Sequence, residues 1–236
     1  MKVVILAGGL GTRLSEETAL KPKPLVEIGG FPILWHIIQI YFHQGFSDFV
    51  ICTGYKHEMI ERFSNELQQS RNGLKIEPLY TGENTSTGGR IKKAWEFIGS
   101  MPIMATYGDG VANVDLKQLS TFHVEHGKLA TVTAVRPPAR FGRLHLDGNL
   151  VAKFGEKNQS EEGWINGGFF VLNPGVREFL MDYETPFEHY PLVTLAEKGS
   201  LVAYKHEGFW QPMDTLREKN DLEDLWTTGN APWKIW

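Results

Sequence analysis

Near its amino terminus the chain reads Leu6-Ala7-Gly8-Gly9-Leu10-Gly11-Thr12-Arg13-Leu14, with Lys21-Pro22-Lys23-Pro24 shortly after. A glycine-rich turn presents backbone N–H groups in a concave array, which suits phosphate oxygens. Two common phosphate loops are excluded. The P-loop needs Lys followed by Ser or Thr after its last glycine, and here Gly11 is followed by Thr12-Arg13. The dinucleotide fingerprint needs a third glycine where this chain has Leu14. What remains is a glycine turn with two cations, Arg13 and Lys23, able to clamp a polyphosphate. Farther on, Asp109 stands between Gly108 and Gly110, and Asp214 follows Trp210-Gln211-Pro212-Met213. Either carboxylate could hold Mg²⁺, which takes a few carboxylates and completes its shell with water and phosphate. Either could equally close a turn or cap a helix.

Such groups need a scaffold that brings them together. Lys2–Leu6 is a continuous Val/Ile-rich run, as expected for a strand buried on both faces, and 49–52, 103–106 and Ala130–Val135 repeat it. Helical periodicity fills the gaps. Pro32 occupies the favoured first position of a helix whose apolar face is Ile33, Leu34, Ile37, Ile38 and Tyr41 and which stops at Gly45. Further helices are expected at 58–67, 90–98 and 115–126, the last with Asp115 at its start. This alternation predicts an α/β fold with helices on both faces of a sheet. Beyond Val135 come strands at 141–146, 150–154, 164–172 and 201–204, and helices at 175–181, 188–198 and 216–226. In open α/β sheets ligands bind beyond the carboxyl ends of the strands, where three of the glycine clusters fall.

The chain has 236 residues, 42% hydrophobic and 22% charged, with a formal net charge of -4. Disorder and fibrous repeats are excluded, and mild acidity argues against a nucleic-acid partner. No apolar run is long enough to span a bilayer, so no membrane partner is expected. The lone Cys52 permits no intrachain disulfide and sits in a strand expected to be buried and inert, so the cytoplasm is the expected compartment. The eight histidines show no metal-ligand spacing, with His123 and His126 expected on a helix surface. Trp226, Trp233 and Trp236 form a tail expected to pack on the chain's own body.

The glycine loop, the Lys-Pro run and Val26-Glu27-Ile28-Gly29-Gly30 resemble the sugar-1-phosphate nucleotidyltransferases. Ordered motifs extend the resemblance along the chain: Thr87-Gly88-Gly89-Arg90, Tyr107-Gly108-Asp109-Gly110, Arg140-Phe141-Gly142, Glu156-Lys157, Ile165-Asn166-Gly167-Gly168-Phe169-Phe170 and Phe209 through Thr215. Ser15-Glu16-Glu17-Thr18 and the Lys-Pro-Lys-Pro run resemble the glucose-1-phosphate cytidylyltransferase branch.

The resemblance implies a Rossmann-like three-layer fold with a mixed, mostly parallel sheet. It implies one domain over 1–236, with a nucleotide-binding part at about 1–135 and a sugar-binding part at about 136–236. The implied reaction joins CTP to α-D-glucose 1-phosphate, with Mg²⁺ as cofactor and a homo-oligomer as the working form. Leu6, Ala7, Gly8, Gly9, Gly11, Thr12, Arg13 and Lys23 would then hold the triphosphate, with Gly108 beside them. Thr81, Ser86, Thr87 and Gly88 would meet base and ribose. Gly142, Glu156, Lys157, Asn166 and Gly167 would meet the sugar phosphate, and Asp109 and Asp214 the metal. Arg13, Lys23 and Asp109 would be catalytic. The alternatives are a uridylyl-, thymidylyl- or guanylyltransferase for another sugar, or a sugar-nucleotide-sensing subunit without activity.

Overall fold

The computed structural model describes residues 1–11, 14–18, 20–137, 143–155 and 163–236. The chain runs through β1 (Lys2–Leu6), α1 (Ser15–Thr18), the small hairpin β2 (Glu27–Ile28) and β3 (Phe31–Pro32), α2 (Ile33–His43), β4 (Asp48–Thr53), α3 (His57–Ser70) and β5 (Lys75–Tyr80). It continues through α4 (Thr87–Ile98), β6 (Ile103–Tyr107), β7 (Gly110–Ala112), α5 (Leu116–His126) and β8 (Ala130–Val135). The hairpin β9 (Arg143–Asp147) and β10 (Leu150–Gly155) and the long strand β11 (Ile165–Leu172) follow. A 3-10 turn at Pro174–Phe179, α6 (Tyr190–Glu197), β12 (Leu201–His206), β13 (Trp210–Pro212) and α7 (Leu216–Thr227) complete the path.

Seven strands form one sheet in the order β12-β8-β11-β6-β1-β4-β5. All its pairings are parallel except those of β11, which runs antiparallel to both β6 and β8. Along β1 the side chains alternate between two cores. Val3 and Ile5 face the layer containing α2, while Val4 and Leu6 face the layer containing α4. A strand covered on both sides must be apolar at every position, which is why it reads as an unbroken run.

From β1 the chain first builds outward through β4 and β5, then crosses by α4 to β6 on the other side of β1. The strand order therefore reverses between β1 and β6, and a crevice opens beyond their carboxyl ends. Leu6 pairs with Tyr107 at that edge, so the turns beginning at Ala7 and Gly108 leave the sheet side by side.

Several expectations are corrected. Pro32 is the residue before α2 and pairs with Glu27, leaving Ile33 as the first helical position. The helix expected over 175–181 is a 3-10 turn at Pro174–Phe179, and the helix expected from 188 starts at Tyr190. Strand β5 was not expected, because Lys75, Glu77 and Pro78 interrupt its apolar pattern. It lies at the sheet edge, where proline is tolerated. His123 turns inward, 2% exposed, with Nδ1 2.7 Å from the Thr131 hydroxyl.

The tryptophan tail packs on the chain itself. Trp233 is fully buried, and Trp226 and Trp236 lie edge-on to Trp35. His36 sits among them with Nε2 2.9 Å from the Ile28 carbonyl, while the Trp233 indole donates to its Nδ1 at 3.3 Å. Burial lowers its pKa to about 4, so the folded protein holds the ring neutral. The unfolded chain protonates this histidine near 6.5, so the contribution is complete above that pH and is lost as pH falls toward 4. The total is about 3 kcal/mol. Unfolding free energy should therefore drop between pH 6.5 and 4 more steeply in the wild type than in His36→Gln. Parallel pH profiles for the two proteins would overturn this assignment.

Candidate active site

A cleft of about 520 Å³ opens at the reversal point. Its floor is the glycine turn 6–11, and Lys23, Ser86, Thr87, Gly108 and Asp109 stand on its walls. The turn is held from behind by Arg90, which is 4% exposed. The Arg90 guanidinium donates to the carbonyls of Gly8, Thr53 and Gly82, each at 2.9 Å, to Glu83 at 3.3 Å, and to the Thr81 hydroxyl. One planar cation thus ties together the carboxyl ends of β1, β4 and β5. A Cβ at position 8 would collide with that guanidinium, so only glycine fits. Burial pulls the Arg90 pKa down from its usual value; arginine nevertheless stays charged in proteins.

Lys23 lies in a 3-10 turn, Lys23–Leu25, and reaches to the mouth of the cleft. Its ammonium is 2.6 Å from Asp109 Oδ2 and 2.6 Å from Asp214 Oδ1. Burial alone would lower its pKa, but the two carboxylates outweigh that effect and raise it. The aspartates are far apart in sequence and meet because β7 and β13 pair antiparallel, Gly110 opposite Pro212. Beyond that ladder the Met213 N–H donates to the Asp109 carbonyl at 2.8 Å. Asp214 is then fixed by the start of α7. The Glu218 carboxylate accepts from the N–H groups of Asp214 and Thr215, while the Thr215 hydroxyl accepts from Glu218 N–H in a capping box.

On the opposite wall Ser86 caps α4. Its hydroxyl donates to the Thr185 carbonyl at 2.6 Å, and the Thr87 hydroxyl donates to Glu188 Oε2 at 2.6 Å. Both hydroxyls are thus engaged with segment 183–188. Gly88 is buried against the same segment, where a Cβ would lie 2.5 Å from the Thr185 carbonyl oxygen. Gly88 and the buried Thr81 stand behind the cleft wall, and Glu83, Asn84 and Thr85 line it in their place. Asn166 approaches from β11, with Nδ2 3.1 Å from the Tyr107 hydroxyl. Gly167 is buried, and its carbonyl accepts from the Trp210 indole at 2.7 Å. Thr12, Arg13, Gly142, Glu156 and Lys157 lie outside the described residues.

A nucleotidyl transferase family profile matches residues 2–211. The chain belongs to this family. It is 50% identical to a glucose-1-phosphate cytidylyltransferase of Salmonella typhi over 256 aligned residues that include all of both chains. A mannose-1-phosphate guanyltransferase of Pichia angusta is 33% identical over 92% of this chain and 62% of its own. Among solved structures, HddC from Yersinia pseudotuberculosis, complexed with GMP-PN, superposes with a TM-score of 0.73 at 25% identity, covering 95% of this chain and 99% of that one. A UDP-glucose pyrophosphorylase complexed with UDP-glucose gives 0.72 at 19% identity, covering 97% and 98%. The mixed, mostly parallel sheet is thus the Rossmann-like fold of the nucleotidyltransferases.

Arg90, Tyr107 and the 83–85 segment were absent from the expected set. Two of them carried a signal in the sequence, Arg90 as a cation directly after the paired glycines at 88 and 89 and Tyr107 as the start of the Tyr107-Gly108-Asp109-Gly110 run. Lysine cannot reproduce a planar fork that serves oxygens on three loops. Arg90→Lys should lower the melting temperature and raise KM for the nucleoside triphosphate roughly tenfold, the order expected for one or two lost charged hydrogen bonds. An unchanged KM would show that the loops hold their shape without it.

Proposed function

We propose that this chain is a glucose-1-phosphate cytidylyltransferase, converting CTP and α-D-glucose 1-phosphate to CDP-glucose and pyrophosphate. The observation that carries the choice of base and sugar is the 50% identity to the Salmonella typhi enzyme over the full length of both chains. In this reading a sugar-phosphate oxygen attacks the α-phosphorus in line, an O–P bond forms, and the bond to the β-phosphate oxygen breaks. The attacking oxygen is already anionic near neutral pH, so no general base is required. Catalysis rests on orientation and on neutralising charge at the leaving pyrophosphate.

The glycine turn 8–11, with Thr12 and Arg13, would bind the triphosphate, and Lys23 would contact phosphate near the reacting centre. Leu6, Ala7 and Gly108 frame that position. Thr81 and Gly88 would support the base-facing wall from behind, and Ser86 and Thr87 would shape it. Lys157 would anchor the sugar phosphate, with Glu156, Asn166, Gly142 and Gly167 around the hexose.

Asp109 and Asp214 fit a divalent cation, because both aim an oxygen at one point that the Lys23 ammonium already holds at 2.6 Å from each. Two carboxylates suit Mg²⁺, which completes its shell with phosphate and water rather than an all-protein cage. When bound, the ion would neutralise charge on the triphosphate and the departing pyrophosphate. We further place the whole chain in one catalytic unit, nucleotide-binding to about residue 135 and sugar-binding beyond it. We place it in the cytoplasm as a homo-oligomer. No helix among the described residues is long and apolar enough to cross a membrane.

A pyrophosphate-release panel of CTP, UTP, dTTP and GTP against several hexose 1-phosphates tests the reading. Fastest turnover is expected with CTP and glucose 1-phosphate; turnover with another nucleotide and none with CTP would reassign the base. Asp109→Ala should lose roughly a hundred- to a thousandfold in kcat, of the order seen when a charge-stabilising group is removed.

Lys23→Met tests the cation site without activity. It leaves two carboxylates facing each other, so added Mg²⁺ should raise the variant's melting temperature more than the wild type's. Equal shifts would sink the shared site.

A further inference from the structure

Glu188 lies between the 3-10 turn Pro174–Phe179 and α6, outside the cleft wall, yet its carboxylate joins two residues that line the cleft. Oε2 accepts the Thr87 hydroxyl proton at 2.6 Å, and Oε1 accepts that of Tyr107 in a short hydrogen bond. Tyr107 has one proton to give. Having given it to Glu188, its oxygen can only accept from the Asn166 side chain, whose Nδ2 is 3.1 Å away. Asn166 Oδ1 in turn accepts from the Gly168 N–H at 2.8 Å. The chain of hydrogen bonds therefore has one direction, from Asn166 through Tyr107 to Glu188. Together with the Gly168 N–H at Oδ1, that direction holds the exposed Asn166 amide at both ends, Nδ2 donating and Oδ1 accepting.

The anchor itself is well seated. Phe187, directly before Glu188, is fully buried, meets the Phe170 ring edge-on at 5.5 Å, and donates its N–H to the Thr87 hydroxyl at 2.9 Å. The Tyr107 ring stands edge-on to the same Phe170 at 6.0 Å. Without the carboxylate, nothing would keep the Tyr107 proton directed away from Asn166, and the Nδ2 end of the amide would lose its acceptor, leaving the side chain held by the Gly168 N–H at Oδ1. A neutral acceptor oxygen in the same place would hold the proton nearly as well.

We infer that Glu188 is a positioning residue for the sugar-phosphate half of the site, acting through the Tyr107 hydroxyl to hold the Nδ2 end of the Asn166 amide in place. This rests on the reading above, in which Asn166 meets the hexose. Contact with a hexose hydroxyl depends on the position of the amide, which shifts when its Nδ2 end is no longer held.

The test uses steady-state kinetics of the full chain with glucose 1-phosphate varied at saturating CTP and Mg²⁺. Glu188→Ala should raise KM for the sugar phosphate about tenfold, the order of one hydrogen bond to a charged group, with KM for CTP and kcat within about threefold. Glu188→Gln should recover most of the loss. Tyr107→Phe should reproduce the Glu188→Ala effect, and would carry the test if that variant folds poorly. In an Asn166→Ala background Glu188→Ala should add nothing further. A sugar-phosphate KM within twofold of wild type, or an effect that persists in the Asn166→Ala background, would overturn the inference.

A second readout needs no turnover. The side-chain amide resonances of Asn166 in ¹⁵N-labelled protein should move in Glu188→Ala and return in Glu188→Gln. Unmoved resonances would also overturn it. Wild-type protein inactive with glucose 1-phosphate would count against the proposed function alone, and the resonances would still decide the role of Glu188.

Discussion

The site depends on one ammonium shared by two carboxylates. Lys23 draws Asp109 and Asp214 to 2.6 Å each, and these residues come from three separate places: a 3-10 turn, the β6–β7 turn and the start of α7. Two carboxylates at such range repel each other unless a cation lies between them, and withdrawing that cation from a partly buried pair costs several kcal/mol. The pairing of β7 with β13 and the capping box of α7 hold the acids where the cation can reach both. The placement of the acids and the docking of β13 and α7 are thus satisfied by the same contacts.

Arg90 is the second cation at the cleft, and its partners differ in kind. It meets uncharged oxygens, four backbone carbonyls and a hydroxyl, distributed over the ends of β1, β4 and β5. A guanidinium can serve many such oxygens at once because its donors are fixed in one plane. Arg90 therefore acts as a permanent part of the floor. Lys23 sits at a point where another cation can compete for its carboxylates, and a phosphate oxygen can compete with those carboxylates for its ammonium. The two cations thus differ in role, one shaping the backbone of the cleft floor and the other bridging two carboxylates on its wall.

Much of this was readable in the residues themselves. The Val/Ile runs announced strands buried on both faces, the glycines at 8–11 and 108–110 marked strand ends while those at 88–89 lie in α4 and those at 167–168 within β11, and the order of motifs identified the family. The contrasting failures share a cause. Strand β5 has no apolar run because an edge strand is covered less, and β7 and β13 span only three residues each, so neither has a period to detect. Thr81, Ser86 and Thr87 looked like groups free to meet a base, but in the fold their hydroxyls bind Thr53, Thr185 and Glu188. His123 looked exposed because its helix is polar around it, whereas Thr131 on the neighbouring strand supplies the partner that lets it turn inward.

Sequence by itself determined the α/β alternation, the glycine-rich turn after the first strand and the identities of the charged groups, since these depend on local periodicity and side-chain chemistry. Only the tertiary structure decided which of those groups meet. The Lys23 bridge, the Arg90 pin and the line from Asn166 through Tyr107 to Glu188 all join residues distant in the chain. Hydrogen-bond direction and charge pairing act over a few ångströms in space, and no spacing along the sequence records them.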